Sequence, residues 1–89
     1  MKTKYSPGFI KKLKQAHVII RKNFRQKIKL FGENPFEPSL NNHDLKREYE
    51  GLKSIDITAD VRAIYKEITE ESKTVAYFLK LGTHNELYK

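Results

Sequence analysis

The chain has 89 residues, of which 18 are Lys or Arg and 11 are Asp or Glu, and its formal net charge is +7. A domain of this size buries only about 60% of its unfolded surface, so we expect one domain spanning residues 1–89, with no room for a deep internal cavity. The chain has no cysteine, which excludes disulfide bonds and thiolate metal sites.

The first third of the chain predicts two amphipathic helices. Ser6 and Pro7 are typical of a helix start, because serine caps the first N–H groups and proline suits the first helical position. Gly32 is a plausible C-cap for the second helix, and we predict a bend near residues 17–18, with His17 packing on the apolar side. Apolar residues recur at three- and four-residue steps in both helices: Phe9, Ile10 and Leu13, then Ile20, Phe24, Ile28 and Phe31.

These predicted helices are strongly basic. Residues 1–30 contain ten Lys or Arg and no acid, whereas residues 31–89 carry a net charge of −3. A block of positive charge attracts phosphate backbones or an acidic protein. We therefore expect a nucleic acid or an acidic partner on this segment, the alternative being a solvated lysine-rich helix face.

The rest of the chain favours strands. Pro35 and Pro38 indicate an irregular connection, and apolar residues then alternate with polar ones in segments around 52–57, 61–68 and 74–81. Turns are expected at 58–60 and 70–72, and a short helical turn near the C-terminus would place Leu87 or Tyr88 on the sheet. The predicted class is α+β, with two N-terminal helices packed on a small, mainly antiparallel sheet.

Neither membrane insertion nor secretion is expected. Every uninterrupted apolar run in the sequence, such as residues 18–20, is far shorter than the roughly 20 residues of a membrane span. The N-terminus has no signal-peptide apolar region. We therefore expect a cytoplasmic protein.

Two histidines fall where catalytic groups are usually presented. His43 follows the proline-containing connection and His84 follows the last predicted strand. Cleavage of RNA by its own 2′-hydroxyl needs a base, an acid and cations near the phosphate, without an obligatory metal, and histidine suits both proton-transfer roles. The alternative for each histidine is a solvated surface residue. No metal site is expected, because the histidines lack metal-ligand spacing.

The second half of the chain resembles the YafQ branch of the RelE-like bacterial toxins. The motifs that carry this resemblance are the His-Asp-Leu segment at 43–45, the Asp-Val-Arg-Ala-Ile-Tyr strand at 60–65 and the Gly-Thr-His-Asn-Glu-Leu-Tyr ending at 82–88. The resemblance implies a RelE-like fold and the toxin of a type II toxin–antitoxin pair. Such a toxin is a cytoplasmic endoribonuclease that enters the ribosomal decoding site, cuts the translated mRNA without a cofactor and is silenced by a cognate antitoxin.

The resemblance also assigns residues to the catalytic cluster. It implies that His43, Asp60 and His84 belong to this cluster, with His84 as the general acid, and that Tyr88 takes the place of a terminal aromatic residue. Asp56 stands where these relatives usually have a further histidine. The general base therefore remains open: Asp56 or Asp60 could accept the proton, or either could orient His43 to do so.

Cations and partners complete the prediction. Arg62 is the first choice for the scissile phosphate, because a guanidinium can donate two parallel hydrogen bonds, although it could simply pair with an acid. The antitoxin would cover the basic helices or add a strand to a sheet edge. The competing functions are a non-enzymatic gyrase inhibitor similar to the ParE-like toxins and a basic RNA-binding module. The expected phosphate-binding residues are Lys46, Arg47, Lys53, Arg62 and Lys80.

Overall fold

Residues 1–88, the part of the chain that this computed structural model describes, form three α-helices and five strands. The predicted α+β class is confirmed. No helix within these residues is long and apolar enough to cross a membrane. Two 3₁₀ turns, Pro38–Leu40 and Arg47–Tyr49, interrupt the connections. The elements are β1 (Lys2–Tyr5), α1 (Pro7–Gln15), α2 (Val18–Glu33), β2 (His43–Asp44), β3 (Lys53–Asp56), β4 (Val61–Glu70), β5 (Lys73–Thr83) and α3 (His84–Leu87).

The five strands form one mixed sheet in the order β1-β5-β4-β3-β2. The β2–β3, β3–β4 and β4–β5 pairs are antiparallel, whereas β1 runs parallel to β5, with Tyr5 opposite Phe78. Sequence analysis predicted the three central strands and missed both edges. β1 was missed because its pairing partner, β5, lies about seventy residues away in the chain, so no hairpin signal marks it. β2 was missed because it contains just two residues, too few to show alternation.

The first helix starts as predicted, with Ser6 as its cap, whereas the second starts with a capping residue, His17, that was not predicted. The Ser6 hydroxyl accepts the Phe9 N–H at 3.0 Å, as a capping serine should. The predicted packing role of His17 is wrong, because His17 is exposed and caps α2 by accepting the Ile19 N–H on Nδ1 at 3.1 Å. The predicted C-cap at Gly32 is also wrong, since α2 continues to Glu33 and the N–H of Asn34 caps it.

The core lies between the helices and one face of the sheet. Phe9, Phe24 and Phe31 bring the helices against Phe78 on β5, and each buried aromatic side chain of this kind contributes about 1.5–3 kcal/mol. The expected packing of Ile10 is wrong, because Ile10 remains 40% exposed.

A smaller apolar layer covers part of the opposite face of the sheet. Ile64, Val75 and Leu87 are buried yet lie outside the main core cluster. Leu87 belongs to α3 and lies near Gly82, where an added Cβ would be 3.5 Å from its Cδ2. The C-terminal turn therefore packs back onto the sheet, as predicted.

Candidate active site

Strand register decides which of the predicted site residues share a face. Ile55, Ala63 and Leu81 are paired across β3, β4 and β5 and belong to the helix-covered core. Because side chains alternate along a strand, their neighbours occupy the other face, which we call the open face. Two rows cross it: His43, Ser54, Ile64 and Lys80 in one, and Asp56, Arg62 and Gly82 in the other.

His84 is the first residue of α3, a single helical turn that follows β5. The turn is fixed by a capping box, in which Glu86 accepts the Thr83 N–H at 2.8 Å and Thr83 Oγ1 accepts the Glu86 N–H at 3.2 Å. Lys12 of α1 binds the same carboxylate at 3.1 Å. The Thr83 N–H and then Lys12 lower the pKa of Glu86 to about 2, so the group that holds His84 in place is ionised at neutral pH.

An open recess at the junction of β4, β5 and α3 brings three predicted residues together. Asp60, Arg62 and His84 all line it. Asp60 is exposed at the turn before β4, where the Thr58 hydroxyl oxygen accepts its N–H at 3.2 Å. Tyr88 adjoins the recess, with its ring centroid 4.6 Å from that of His84. The recess thus combines a carboxylate, a guanidinium and an imidazole at one exposed point.

Most of the Arg62 guanidinium is already bonded to other groups of the fold. Its Nη1 donates to the carbonyl oxygens of Thr58 at 3.1 Å and Ala59 at 2.9 Å, and its Nε lies 2.9 Å from Asp56 Oδ1. The Asp56 contact is held by charge, because Oδ1 has no aligned hydrogen-bond donor among residues 1–88. Only Nη2 of Arg62 has no recorded partner in the described chain, so the two parallel bonds expected to a phosphate would require Arg62 to exchange partners.

His43 lies on the open face but away from the recess. Three strand spacings separate it from Lys80 along its row, a distance of about 14 Å, and His84 lies beyond the end of β5. The Nδ1 atom of His43 is 2.7 Å from the Asn41 carbonyl oxygen. Since a carbonyl can only accept, Nδ1 carries the proton and Nε2 is left for proton exchange. One alternative from the sequence was that Asp56 or Asp60 orients this ring. Among residues 1–88 neither aspartate hydrogen-bonds His43, and the Asn41 carbonyl orients the ring instead.

The predicted cations divide between the two faces. Lys80 is on the open face, with its ammonium 5.3 Å above the ring of Tyr49, and Lys46 and Arg47 flank the same tyrosine in a pocket. Lys53 does not join them. Its register partner is Tyr65 of the main core, so it lies on the helix-covered side, where it binds Asp44. That hydrogen bond raises the pKa of Lys53.

Two residues of the site were missed from the sequence. Asn41 adopts the left-handed conformation with φ 48°, which asparagine tolerates, and it contacts both His43 and, through Nδ2 at 3.5 Å, Asp56. Tyr49 donates its hydroxyl to the Leu87 carbonyl and so ties the β2–β3 connection to α3. Asn41, two residues before His43, was a local signal for this conformation that the sequence offered. The Tyr49 contact could not be found in this way, because it depends on tertiary structure.

Comparison with known proteins gives a match at the level of three-dimensional structure. No protein-family model and no curated protein sequence matches the chain. The crystal structure of YafQ from E. coli strain BL21(DE3) superposes with a TM-score of 0.77 at 23% identity, covering 99% of this chain and 98% of YafQ. The chain has the YafQ fold. The predicted resemblance is thereby confirmed for the fold.

Other solved structures share the YafQ fold with this chain. A YoeB/ParE toxin from Agrobacterium tumefaciens has a TM-score of 0.74 at 18% identity, covering 94% of this chain and 99% of that toxin. The E. coli DinJ-YafQ complex matches with a TM-score of 0.66 at 23% identity, covering 99% of this chain and 98% of that one. At these identities the YafQ fold is common to the proteins, and the chemistry has to be argued from the residues of this chain.

Proposed function

We propose that this chain is the toxin of a type II toxin–antitoxin pair and acts in the cytoplasm as a ribosome-dependent endoribonuclease on translated mRNA. The observation that carries the proposal is the convergence of Asp60, Arg62 and His84 in one recess. The YafQ fold supports it, because the same fold is found in solved toxin structures. No obligatory metal enters the proposed reaction.

The proposed chemistry is transesterification within the RNA. The 2′-hydroxyl loses its proton to a base and attacks the adjacent phosphorus, and the P–O5′ bond breaks. The products are a 2′,3′-cyclic phosphate and a 5′-hydroxyl, which needs one proton. His84, exposed at the start of α3, donates that proton as the general acid, a role worth typically 100- to 10,000-fold in rate.

Asp60 is the favoured general base. It is exposed and lines the same recess as His84, whereas Asp56 is paired with Arg62 and His43 is distant along the sheet. Tyr88 supports the His84 ring, and Arg62 stabilises the phosphate through its free Nη2. His43 with Lys80 would contact the RNA further along the open face.

The charge distribution fits the proposed partners. The ten bases within residues 1–30 supply attraction for ribosomal RNA and for an acidic antitoxin segment. One structural neighbour is solved as a DinJ-YafQ toxin-antitoxin complex, which supports a cognate antitoxin for this chain as well.

The experiment that tests this function maps the ends of cleaved mRNA. The purified chain is given ribosome-bound message or the same message without ribosomes. We expect cuts only in the ribosome-bound message, with 2′,3′-cyclic phosphate ends, and no cut where the scissile nucleotide carries a 2′-deoxy sugar. No cleavage in either setting, together with inhibition of DNA gyrase supercoiling, would replace this proposal with the non-enzymatic one.

A further inference from the structure

The side chain of Asn42 joins the connection before β2 to the core of the fold. Its amide nitrogen donates one hydrogen bond to the Pro35 carbonyl at 2.9 Å and one to the Tyr65 hydroxyl oxygen at 2.8 Å. The Tyr65 hydroxyl faces the amide oxygen of Asn42 at 3.1 Å. An asparagine amide offers two donor hydrogens and one acceptor oxygen, so this arrangement uses every polar group of the side chain.

Tyr65 is a fixed anchor for this amide. The tyrosine ring packs against Phe31 and Phe78 in the main core, and the residue is only 1% exposed. Burial raises the pKa of the Tyr65 hydroxyl, which therefore stays protonated at neutral pH. A buried hydroxyl needs a hydrogen-bond partner, and among residues 1–88 that partner is Asn42.

Asn42 also lies between the two residues that define the His43 imidazole. The Asn41 carbonyl, 2.7 Å from His43 Nδ1, keeps the imidazole proton on that nitrogen. The pairing of β2 with β3 involves only His43 and Asp44, so the sheet gives this segment few contacts of its own. The Asn42 amide supplies a further anchor at the point where the Asn41 carbonyl has to be held.

We propose that Asn42 is a positioning residue that fixes the tautomer of His43. By binding the Tyr65 hydroxyl, the Asn42 amide holds the Asn41 carbonyl where it keeps the imidazole proton on Nδ1. The unprotonated Nε2 is then a fixed acceptor on the open face, suited to a hydrogen-bond donor of bound RNA. The inference rests on the proposed function for this RNA contact, whereas the tautomer is a property of the chain alone.

The tautomer is measured by long-range proton–nitrogen NMR correlations of the imidazole at a pH of about 8.5, where histidine is neutral. The His43 signals are identified by their absence in His43→Gln. In wild type we expect a protonated Nδ1 and an unprotonated Nε2. Tyr65→Phe removes the anchoring hydroxyl and keeps the ring, and Asn42→Ala removes the amide. Each variant should reduce the difference between the two nitrogen shifts by at least half.

Tyr5→Phe is the matched control for a lost tyrosine hydroxyl. The Tyr5 hydroxyl is also part-buried and lies 2.9 Å from Thr3 Oγ1, but it belongs to β1, at the opposite edge of the sheet from β2. We expect wild-type nitrogen shifts for His43 in this variant. Asn41→Gly should keep them too, because glycine adopts the left-handed backbone of Asn41 and retains the carbonyl.

Several results would overturn the inference. They are an averaged tautomer in wild type, wild-type nitrogen shifts in Tyr65→Phe or in Asn42→Ala, and a loss in Tyr5→Phe as large as that in Tyr65→Phe. The amide spectrum of each variant shows whether it is folded. Where Tyr65→Phe does not fold, Asn42→Ala decides, because Asn42 is only half-buried.

Cleavage kinetics separate this inference from the proposed function. If Tyr65→Phe and Asn42→Ala lose the tautomer but wild type does not cut ribosome-bound mRNA, the positioning role stands and the nuclease proposal fails. If wild type cuts mRNA but both variants keep the tautomer, the nuclease proposal stands and the positioning role is wrong. Where both hold, Asn42→Ala should raise KM by about two- to tenfold, the range for one hydrogen bond, with kcat almost unchanged. An unchanged KM would overturn the RNA contact.

Discussion

Arg62 illustrates how one residue serves both the fold and the site. Its guanidinium closes the turn before β4 through two backbone carbonyls and pairs with Asp56, and its side chain is only 22% exposed. Hydrogen bonds from a charged donor contribute about 1.5–3 kcal/mol to stability. The residue that we propose for the phosphate therefore also holds the shape of the recess.

We predict that Arg62→Lys lowers the free energy of unfolding by about 1–3 kcal/mol, because an ammonium cannot reproduce the planar fork of donors. Urea denaturation measures this change. The reverse exchange at Lys80, Lys80→Arg, preserves charge at an exposed position and should leave stability almost unchanged. Equal effects of the two exchanges would show that Arg62 acts only as a charge.

At the scale of elements, the position of His84 depends on a helix that could not form alone. α3 has four residues, far fewer than the roughly 12–15 needed for an isolated helix in water. Lys12 of α1, the capping box and the Tyr49 hydroxyl hold it against the sheet. The proposed general acid is thus placed by contacts from three parts of the chain.

This arrangement predicts a pH-dependent effect of Glu86→Gln. The lowered pKa of Glu86, about 2 against an ordinary 4.5, means that its carboxylate stabilises the fold fully above pH 4.5 and loses this effect as the pH falls toward 2. Glutamine can still close the capping box. Urea denaturation should therefore show wild type more stable than Glu86→Gln at neutral pH, with the difference shrinking below pH 4.5.

Lys12→Met is the matched variant for this prediction, because it removes the ion pair and leaves the capping box. Since the Thr83 N–H is the largest single cause of the lowered pKa of Glu86, part of the pH dependence should survive in Lys12→Met. A difference between wild type and Glu86→Gln that stays constant from pH 7 to pH 2 would contradict the assignment.

The sequence was informative where a signal was local. Alternation predicted β4 and β5, and the Ser6-Pro7 pair predicted the start of α1, because these signals depend on neighbouring residues. The parallel pairing of β1 with β5 could not be predicted, since it joins segments about seventy residues apart. His17 was misread because a histidine that caps a helix follows the same spacing as one that packs.

The candidate site was predictable in part for the same reason. Asp60, Arg62 and His84 come together because their segments are the adjacent ends of two paired strands. Lys53 was expected among the phosphate-binding residues near this site, yet the alternation of side chains puts it on the other face. The separation of His43 from His84 follows from strand order, which no local pattern encodes.

At the scale of the whole molecule, we expect the basic helices to attract RNA over a distance, whereas the recess would act by direct contact. The helices cover one face of the sheet, and the site residues lie on the open face and at the end of β5. Charges on the helices act over about a Debye length, roughly 8–10 Å at physiological ionic strength. Under the proposed function, they would therefore strengthen binding to ribosomal RNA without touching the scissile phosphate.

We predict that the double variant Lys11→Gln and Lys14→Gln weakens ribosome binding and makes it less dependent on salt. Both side chains are exposed on α1, and two lost phosphate contacts reduce the slope of log K against log salt by about 1.4–1.8. The control removes the same charge elsewhere, with Lys66→Gln and Lys73→Gln on the β4–β5 hairpin. Equal slopes for the two double variants would show that net charge alone matters.

The most direct test of the account is the single-turnover rate at which ribosome-bound mRNA is cut by wild type, His84→Ala and His17→Ala. His84→Ala should lose about 100- to 10,000-fold in rate while remaining folded, because His84 is exposed. His17→Ala should lose about 0.5–2 kcal/mol of stability as a helix cap and keep the wild-type rate. Cleavage by His84→Ala at the wild-type rate would contradict the assignment of the general acid and with it the proposed site.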